Sequence, residues 1–407
     1  MTPPRDDAPA ALGRRYRNRG GAARAEDIGD LRAMALARLP RFSAEYLEGG
    51  SEDERSLHGN RVAFETYALW QRVLSGVAAV DLTTTLFGHP MALPFGIAPT
   101  GFNGLLWPDG DRALAQAAAQ AGIPFGQSTV SNATIAHIAA VPGLRHWFQL
   151  YCYGPDSVWQ TLVDQAAAQG CEALVVTVDT PILGNRAWDR RNFGGPARLS
   201  LSSRLNILRH PHWLWHTVVK PGRLPGFPNL EPFAPADKRD LFGISDWTRA
   251  NVRTEMDWAM LRRIRDRWPG KLVVKGILHL DDLRAAIDAG ADGVVLSNHG
   301  GRQLDRAPAP LDLIAPARAL AGQEFAILAD SGFRRGADIV MALALGADAV
   351  LTGRATLYGL AAGGPEGVAR AIAILGAEAR RTMQLLGVAR LADLSPAIFA
   401  RMPAALV

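Results

Sequence analysis

The chain has 407 residues, 48% of them hydrophobic and 20% charged, with a formal net charge of +5, so it can bury a sizeable core. Its arginines are spread along the chain, which excludes a generic nucleic-acid binder, because that class needs a clustered basic face with stacking aromatics. Cys152 and Cys171 lack paired or metal-ligand spacing, no apolar run reaches about 18 residues, and Met1 to Asp7 lacks a hydrophobic signal core. The expectation is a cytoplasmic protein without a metal site, soluble or peripheral on the inner face of the cell membrane.

Residues 1–27 are rich in Ala, Arg, Gly and Pro without periodicity and read as a disordered arm. The segment 28–94 reads as helices followed by a β-hairpin. One helix starts near Asp27 or Asp30 and ends at Pro40, and a second spans Arg41–Glu48 before Gly49-Gly50. A β-like stretch, Val80–Pro94, turns at Phe87-Gly88-His89-Pro90.

From Phe95 the pattern is regular. Strand-like runs at 95–101, 123–129, 146–153, 173–180, 271–277, 293–300, 325–332 and 349–354 alternate with helical stretches such as Asp109–Ala121, Asp156–Gln169, Met256–Trp268, Leu280–Ala289 and Gly336–Leu345. Eight such units predict an α/β fold, a closed (β/α)8 TIM barrel over 95–380, with 381–407 as a C-terminal extension. A doubly wound sheet fits less well, because no glycine fingerprint follows the first strand.

One long insertion, 188–255, follows strand four. From Arg190 to Leu230 it has no Asp or Glu, while Arg190, Arg191, Arg198, Arg204, Arg209, Lys220 and Arg223 are basic. Trp213, Trp215, Leu205, Ile207, Leu208 and Leu214 add apolar bulk. Two readings stay open: an interface with anionic lipid through 195–245, or an active-site lid packed on a neighbouring subunit.

Barrel chemistry sits at the C-terminal strand ends, where side chains two apart converge on one site. The pairs Gln149 and Tyr151, Thr177 and Asp179, and Ser297 and His299 have that spacing, joined by Ser128, Lys275 and Asp330. So many polar strand ends imply a shared ligand, since unpaired polar burial is costly. The glycine-containing loops Asp330-Ser331-Gly332-Phe333-Arg334 and Gly353-Arg354, after strands seven and eight, predict a phosphate cradle with Arg334 and Arg354 as charge partners.

The run Ser297-Asn298-His299-Gly300-Gly301-Arg302-Gln303-Leu304-Asp305 resembles the signature of the FMN-dependent L-2-hydroxy acid dehydrogenases and oxidases. Tyr46-Leu47-Glu48-Gly49-Gly50, Ala98-Pro99-Thr100-Gly101, Phe148-Gln149-Leu150-Tyr151 and Thr177-Val178-Asp179-Thr180-Pro181 resemble that family in the same order, over about 31–391. The resemblance implies FMN as cofactor and His299 as the base that takes a proton while the substrate carbon loses two electrons, as hydride or through a carbanion. It implies Asp179 as partner of His299, Arg302 and Arg186 as grips on the substrate carboxylate, and Tyr46 and Tyr151 beside the carboxylate and hydroxyl. Lys275 would face the flavin edge that gains negative charge on reduction. Flavin contacts would come from Pro99, Thr100, Gly101, Ser128, Gln149, Thr177 and Ser297, with phosphate on Asp330, Ser331, Gly332, Arg334, Gly353 and Arg354. Ser331 and Ala355 depart from the glycine and proline usual in the family.

Within the family, Gly101-Phe102-Asn103-Gly104 and Val130 resemble the mandelate dehydrogenase branch, with space for a bulky substrate side chain. The basic, tryptophan-bearing insertion resembles that of membrane-associated dehydrogenases that reduce quinone. The implied function is oxidation of a mandelate-like L-(S)-2-hydroxy acid to the 2-oxo acid by a homotetramer. L-lactate dehydrogenase and an oxygen-using oxidase that makes peroxide are the alternatives.

Overall fold

A computed structural model describes residues 21–195, 198–222 and 224–403. The expected arm lies, up to residue 20, outside these residues, as does Arg223. Residues 21–27, expected to belong to that arm, are packed: Ala22–Arg24 form a 3-10 turn, and Ala22 and Ala25 are buried.

Eight parallel strands close into a barrel in the order of the sequence. They are β1 (Phe95–Thr100), β2 (Pro124–Ser128), β3 (Arg145–Leu150), β4 (Ala173–Thr177), β5 (Lys271–Ile277), β6 (Gly293–Leu296), β7 (Ala326–Ala329) and β8 (Ala349–Thr352). Most of their residues are apolar and buried, as strands covered on both faces by a parallel barrel require. On β3 to β8 one parity faces the surrounding helices, with Phe148, Leu174, Val176, Val274, Val294 and Ile327 in the main core. The other parity, including Trp147, Val175, Val273, Val295 and Leu328, fills the barrel interior. Carried forward two residues at a time, the interior parity arrives at Gln149, Thr177, Lys275, Ser297 and Asp330. The strands therefore aim their polar ends at the barrel mouth.

Observed strands stop earlier than the sequence pattern predicts at the ends of β3, β4, β6, β7 and β8. The residues beyond them, such as Tyr151, Asp179, His299 and Ser331, leave the ladder to form loops. The helices fall where periodicity places them, including Gly110–Gln120, Asp156–Ala168, Trp258–Arg267, Leu280–Asp288 and Gly336–Ala344. Asp27 and Asp257 cap their helices by accepting from Asp30 N and Met260 N. The last helix, Arg354–Leu386, breaks at Gly363-Gly364 before Pro365.

The hairpin of Thr84–Leu86 and His89–Met91 closes the opposite end of the barrel. Leu86 and Met91 join the interior cluster, and Phe87 packs on Trp147 at 5.8 Å between ring centroids. Its turn is Phe87-Gly88, both residues at positive φ, as a two-residue hairpin turn requires.

The insertion is mostly helical. It contains Ala187–Arg191, a small hairpin, Leu201–Leu208, Pro211–Leu214 running into a π-helical turn to Val219, and Leu241–Asn251. Trp213, part of the insertion's apolar bulk, is buried. Its indole N–H donates to Leu105 O at 2.7 Å, and its ring meets Phe42 edge-on at 5.5 Å. Leu201, Leu205, Leu208, Trp215 and Val219 are exposed.

Candidate active site

The mouth of the barrel opens into a cleft of about 1500 Å3, open rim included, lined by both His299 and Arg302. Tyr46, Pro99, Thr100, Gly101, Ser128, Tyr151, Arg186, Lys275, Asp330, Ser331, Gly332, Arg334, Gly353 and Arg354 line the same cleft. Asp179, Gln149, Thr177 and Ser297 stand behind this lining, Thr177 bordering an adjoining hollow beside Cys152 and Met256.

His299 follows β6 in a left-handed backbone conformation, φ 58°, which turns its ring from the ladder toward β4. Such a conformation costs energy and persists where neighbours fix it. Here the His299 amide donates to Ser297 Oγ at 3.0 Å, and Nδ1 lies 2.9 Å from Asp179 Oδ1. An ionised carboxylate only accepts, so Nδ1 carries the proton and Nε2 is left as the acceptor. Nε2 is 3.3 Å from the Tyr151 hydroxyl. Burial alone would raise the Asp179 carboxyl. Its interaction with His299 and the charge of Lys275 outweigh burial and hold Asp179 below the usual carboxylate range.

Arg302 leaves the same loop and reaches the first segment of the chain. Its Nη1 donates to Tyr46 O at 2.8 Å and Gly49 O at 2.7 Å, and its guanidinium lies over the Tyr46 ring at 4.9 Å. Arg186 flanks the same ring at 5.7 Å. The Tyr46 hydroxyl donates to Gly101 O at 3.4 Å. Two guanidiniums and a phenol thus converge next to His299, a geometry suited to a planar carboxylate.

Lys275 is buried, donates to Ser297 Oγ at 2.9 Å and pairs with Asp330 at 3.2 Å. Burial pulls its ammonium down, but the charges of Asp330 and Asp179 more than offset this, so it is a fixed cation. Ser331 takes the left-handed conformation, φ 75°, in place of the family's usual glycine. The steric cost is about 1–2 kcal/mol. Its hydroxyl donates to Asp330 Oδ1 at 2.8 Å and accepts from Gly300 N at 3.0 Å, tying the β6 and β7 loops together. Arg354 donates to Leu47 O, Gly300 O and Gly49 O. Burial first, then Arg302 and Arg334, push it down to about 10. Arg302, Arg334 and Arg354 concentrate positive charge here, offset only in part by Glu48, and a phosphate is its natural complement.

Two further atoms point to a bound ring. Gln149 Nε2 and Thr177 Oγ1 are buried without a hydrogen-bond partner among the described residues. A flavin's polar pyrimidine edge satisfies such atoms, so the strand ends fit the cofactor's ring and the loops after β7 and β8 fit its phosphate.

The FMN-dependent dehydrogenase family model matches residues 35–401. The chain belongs to this family. It is 42% identical to the (S)-mandelate dehydrogenase of Pseudomonas putida over 371 residues, 91% of this chain and 92% of that protein. It is 39% identical to the L-lactate dehydrogenase of Ectopseudomonas mendocina (strain ymp) over 374 residues, 90% of this chain and 96% of that one. A crystal structure of the monotopic membrane protein (S)-mandelate dehydrogenase superposes with a TM-score of 0.88 at 40% identity, covering 93% of this chain and all of that one.

Sequence reasoning missed several residues that shape the site of this FMN-dependent dehydrogenase. Gln303 donates to Asp179 O at 2.7 Å and Ile182 O at 2.9 Å, and its Oε1 accepts from Gly184 N at 2.9 Å. One side chain thereby staples the loop bearing Asp179 and Arg186 to the loop bearing His299 and Arg302. Asn60 and Asn298 exchange amide hydrogen bonds at 2.9 and 2.6 Å, fixing the signature loop on helix Arg55–Glu65. Phe227, far along the insertion, packs edge-on to Phe102 at 4.6 Å and lines the cleft. Gln303 and Asn298 lie inside the signature and carried a visible clue. Phe227 carried none, because its role depends on how the insertion folds back.

Proposed function

We propose that the protein oxidises an (S)-2-hydroxy monocarboxylate with a bulky, mandelate-like side chain to the 2-oxo acid, and passes the electrons to a membrane quinone. The observation that carries this reading is the His299–Asp179 pair facing Arg302, Arg186 and Tyr46 across one cleft. Bound FMN supplies the two-electron acceptor. Arg302 and Arg186 hold the substrate carboxylate, and Tyr46 packs against both. The Tyr151 hydroxyl, beside His299 Nε2, marks where the substrate hydroxyl rests. His299 Nε2 takes the proton released as C2 is oxidised, and Asp179 then faces an imidazolium, which it stabilises and orients. Lys275 would hold fixed positive charge beside the cofactor and so favour its reduced form.

Preference for an aryl side chain is supported by the apolar wall of Phe102, Phe227 and Val130. A methyl on Gly101 would come within 2.6 Å of Val130 Cγ2, so the glycine keeps that wall open. A membrane acceptor is supported by exposed Leu201, Leu205, Leu208 and Trp215 beside Arg204 and Arg209, since apolar side chains rimmed by arginines suit an anionic interface. No helix among the described residues is long and apolar enough to cross a membrane.

The test is anaerobic mixing of the flavin-loaded protein with a panel of (S)- and (R)-2-hydroxy acids. (S)-Mandelate should bleach the flavin and (R)-mandelate should not. Bleaching by lactate in preference to mandelate would transfer the assignment to the smaller substrate. An unbleached flavin throughout would end it.

A further inference from the structure

Tyr153 has no task in the mechanism above, yet it lines the same cleft. The residue is 6% exposed, and its hydroxyl has no hydrogen-bond partner among the described residues. A buried phenol normally finds one, because an unpaired hydroxyl costs free energy on leaving water. Tyr153 is held from turning away to find one. Its backbone bridges antiparallel to Val252, with Gly154 N donating to Asn251 O at 2.8 Å and Arg253 N to Cys152 O at 3.1 Å. Its ring packs between Tyr151 and Trp247, at centroid distances of 5.9 and 6.3 Å. Burial pushes the phenol above its usual range, so it stays a neutral donor. Most other hydroxyls of the lining are taken: Tyr46 donates to Gly101 O, Ser128 to Gln149 and Thr248 to Ser245 O, while Tyr151 faces His299. Among the described residues of the lining, only the Thr180 hydroxyl shares the open state of Tyr153.

Ring centroids run 6.5 Å from His299 to Tyr151 and a further 5.9 Å to Tyr153. Tyr153 thus stands one ring beyond the group that marks the substrate hydroxyl, toward the insertion helix Leu241–Asn251 that carries Trp247. We infer that Tyr153 donates a hydrogen bond to an oxygen on the substrate's side chain, so that the site prefers an aryl group bearing a hydroxyl to a bare phenyl ring. The wall of Phe102, Phe227, Val130 and Val252 is apolar and suits the ring itself. A ligand with its own oxygen at Tyr153 satisfies the phenol, whereas a bare ring leaves it unpaired. The inference rests on the reading that the acid lies in this cleft with an aryl side chain, and it adds the chemistry of that side chain.

The experiment titrates benzoylformate and its 3-hydroxy and 4-hydroxy derivatives, the 2-oxo acids of the mandelate series, into the holoenzyme. Each Kd is read from the perturbation of flavin absorbance. In the unmodified protein the better of the two hydroxy derivatives should bind about tenfold tighter than benzoylformate, the worth of one neutral hydrogen bond. No preference for either derivative overturns the inference without any variant. In Tyr153→Phe, which keeps the ring and removes the hydroxyl, the preference should fall away. A preference that persists in Tyr153→Phe overturns the inference, even if all three ligands weaken together, since the residue would then only pack. Loss of the preference in Thr180→Val alone would give the contact to the threonine and overturns it likewise. Failure of every 2-hydroxy acid to bleach the unmodified protein would instead remove the underlying reading, and is observed before any 2-oxo acid is added.

Discussion

His299 shows how much of the proposed chemistry depends on placing one ring. Its left-handed backbone, its amide bond to Ser297 and its Nδ1 contact with Asp179 together leave a single nitrogen facing the cleft. General-base catalysis of this kind contributes roughly 10^2 to 10^4 in rate. His299→Ala should lower kcat/KM by about that factor while flavin content stays unchanged. Loss of flavin in the variant would make His299 a structural residue. His146 gives a separate residue-scale prediction, one that concerns stability. Buried on β3, it lies 2.9 Å from Gln127 Oε1 and 3.4 Å from the Cys171 thiol, and burial pushes it down from 6.5 to about 4. The unfolded chain binds the proton more readily, so the stabilising effect is complete above about pH 6.5 and drains away as pH falls toward 4. The expected loss is about 3 kcal/mol. Urea midpoints across that range should fall in the wild type and flatten in His146→Leu, and parallel slopes would refute the assignment.

Among the elements, the decisive contacts run between loops that follow different strands. Gln303 holds the 179–184 loop at three backbone points, and Ser51 N donates to Gly301 O at 2.8 Å from the other side. Gln303→Leu keeps the size and removes the staple. KM for the hydroxy acid should rise about tenfold, because Arg186 and Asp179 lose their common anchor, with flavin binding intact. An unchanged KM would show that the loop holds itself. Trp213 does the corresponding work for the insertion. Trp213→Ala removes a buried indole and its hydrogen bond to Leu105, a loss of about 3–5 kcal/mol. Protease cleavage within the insertion should then speed up well before the barrel unfolds.

For the whole molecule, the insertion divides its residues between two destinations. Trp213, Phe227 and Leu230 are buried, whereas Leu201, Leu205, Leu208 and Trp215 are exposed. Changing these four to Gln or Ser should release the protein from anionic vesicles in a flotation assay and leave flavin bleaching by the hydroxy acid in place. Continued flotation would show that another surface carries the attachment. Bleaching lost together with flotation would show that these residues belong to a lid.

The amino-acid sequence alone determined the barrel, its long insertion and most of the residues around the cleft. Those properties follow from local rules: eight short apolar runs in alternation with amphipathic helices, side chains two apart at strand ends, and a nine-residue signature. The strand ends were overrun in the sequence reading because Tyr151, Asp179, His299 and Ser331 continue the alternation of the strands before them. Their departure from the ladder is set by contacts with other loops. Only the tertiary structure decided the staple by Gln303, the arrival of Phe227 in the cleft, the burial of Trp213 and the approach of Trp247 to Tyr153. Each depends on segments far apart in the chain meeting in space, and neither periodicity nor composition encodes such a meeting.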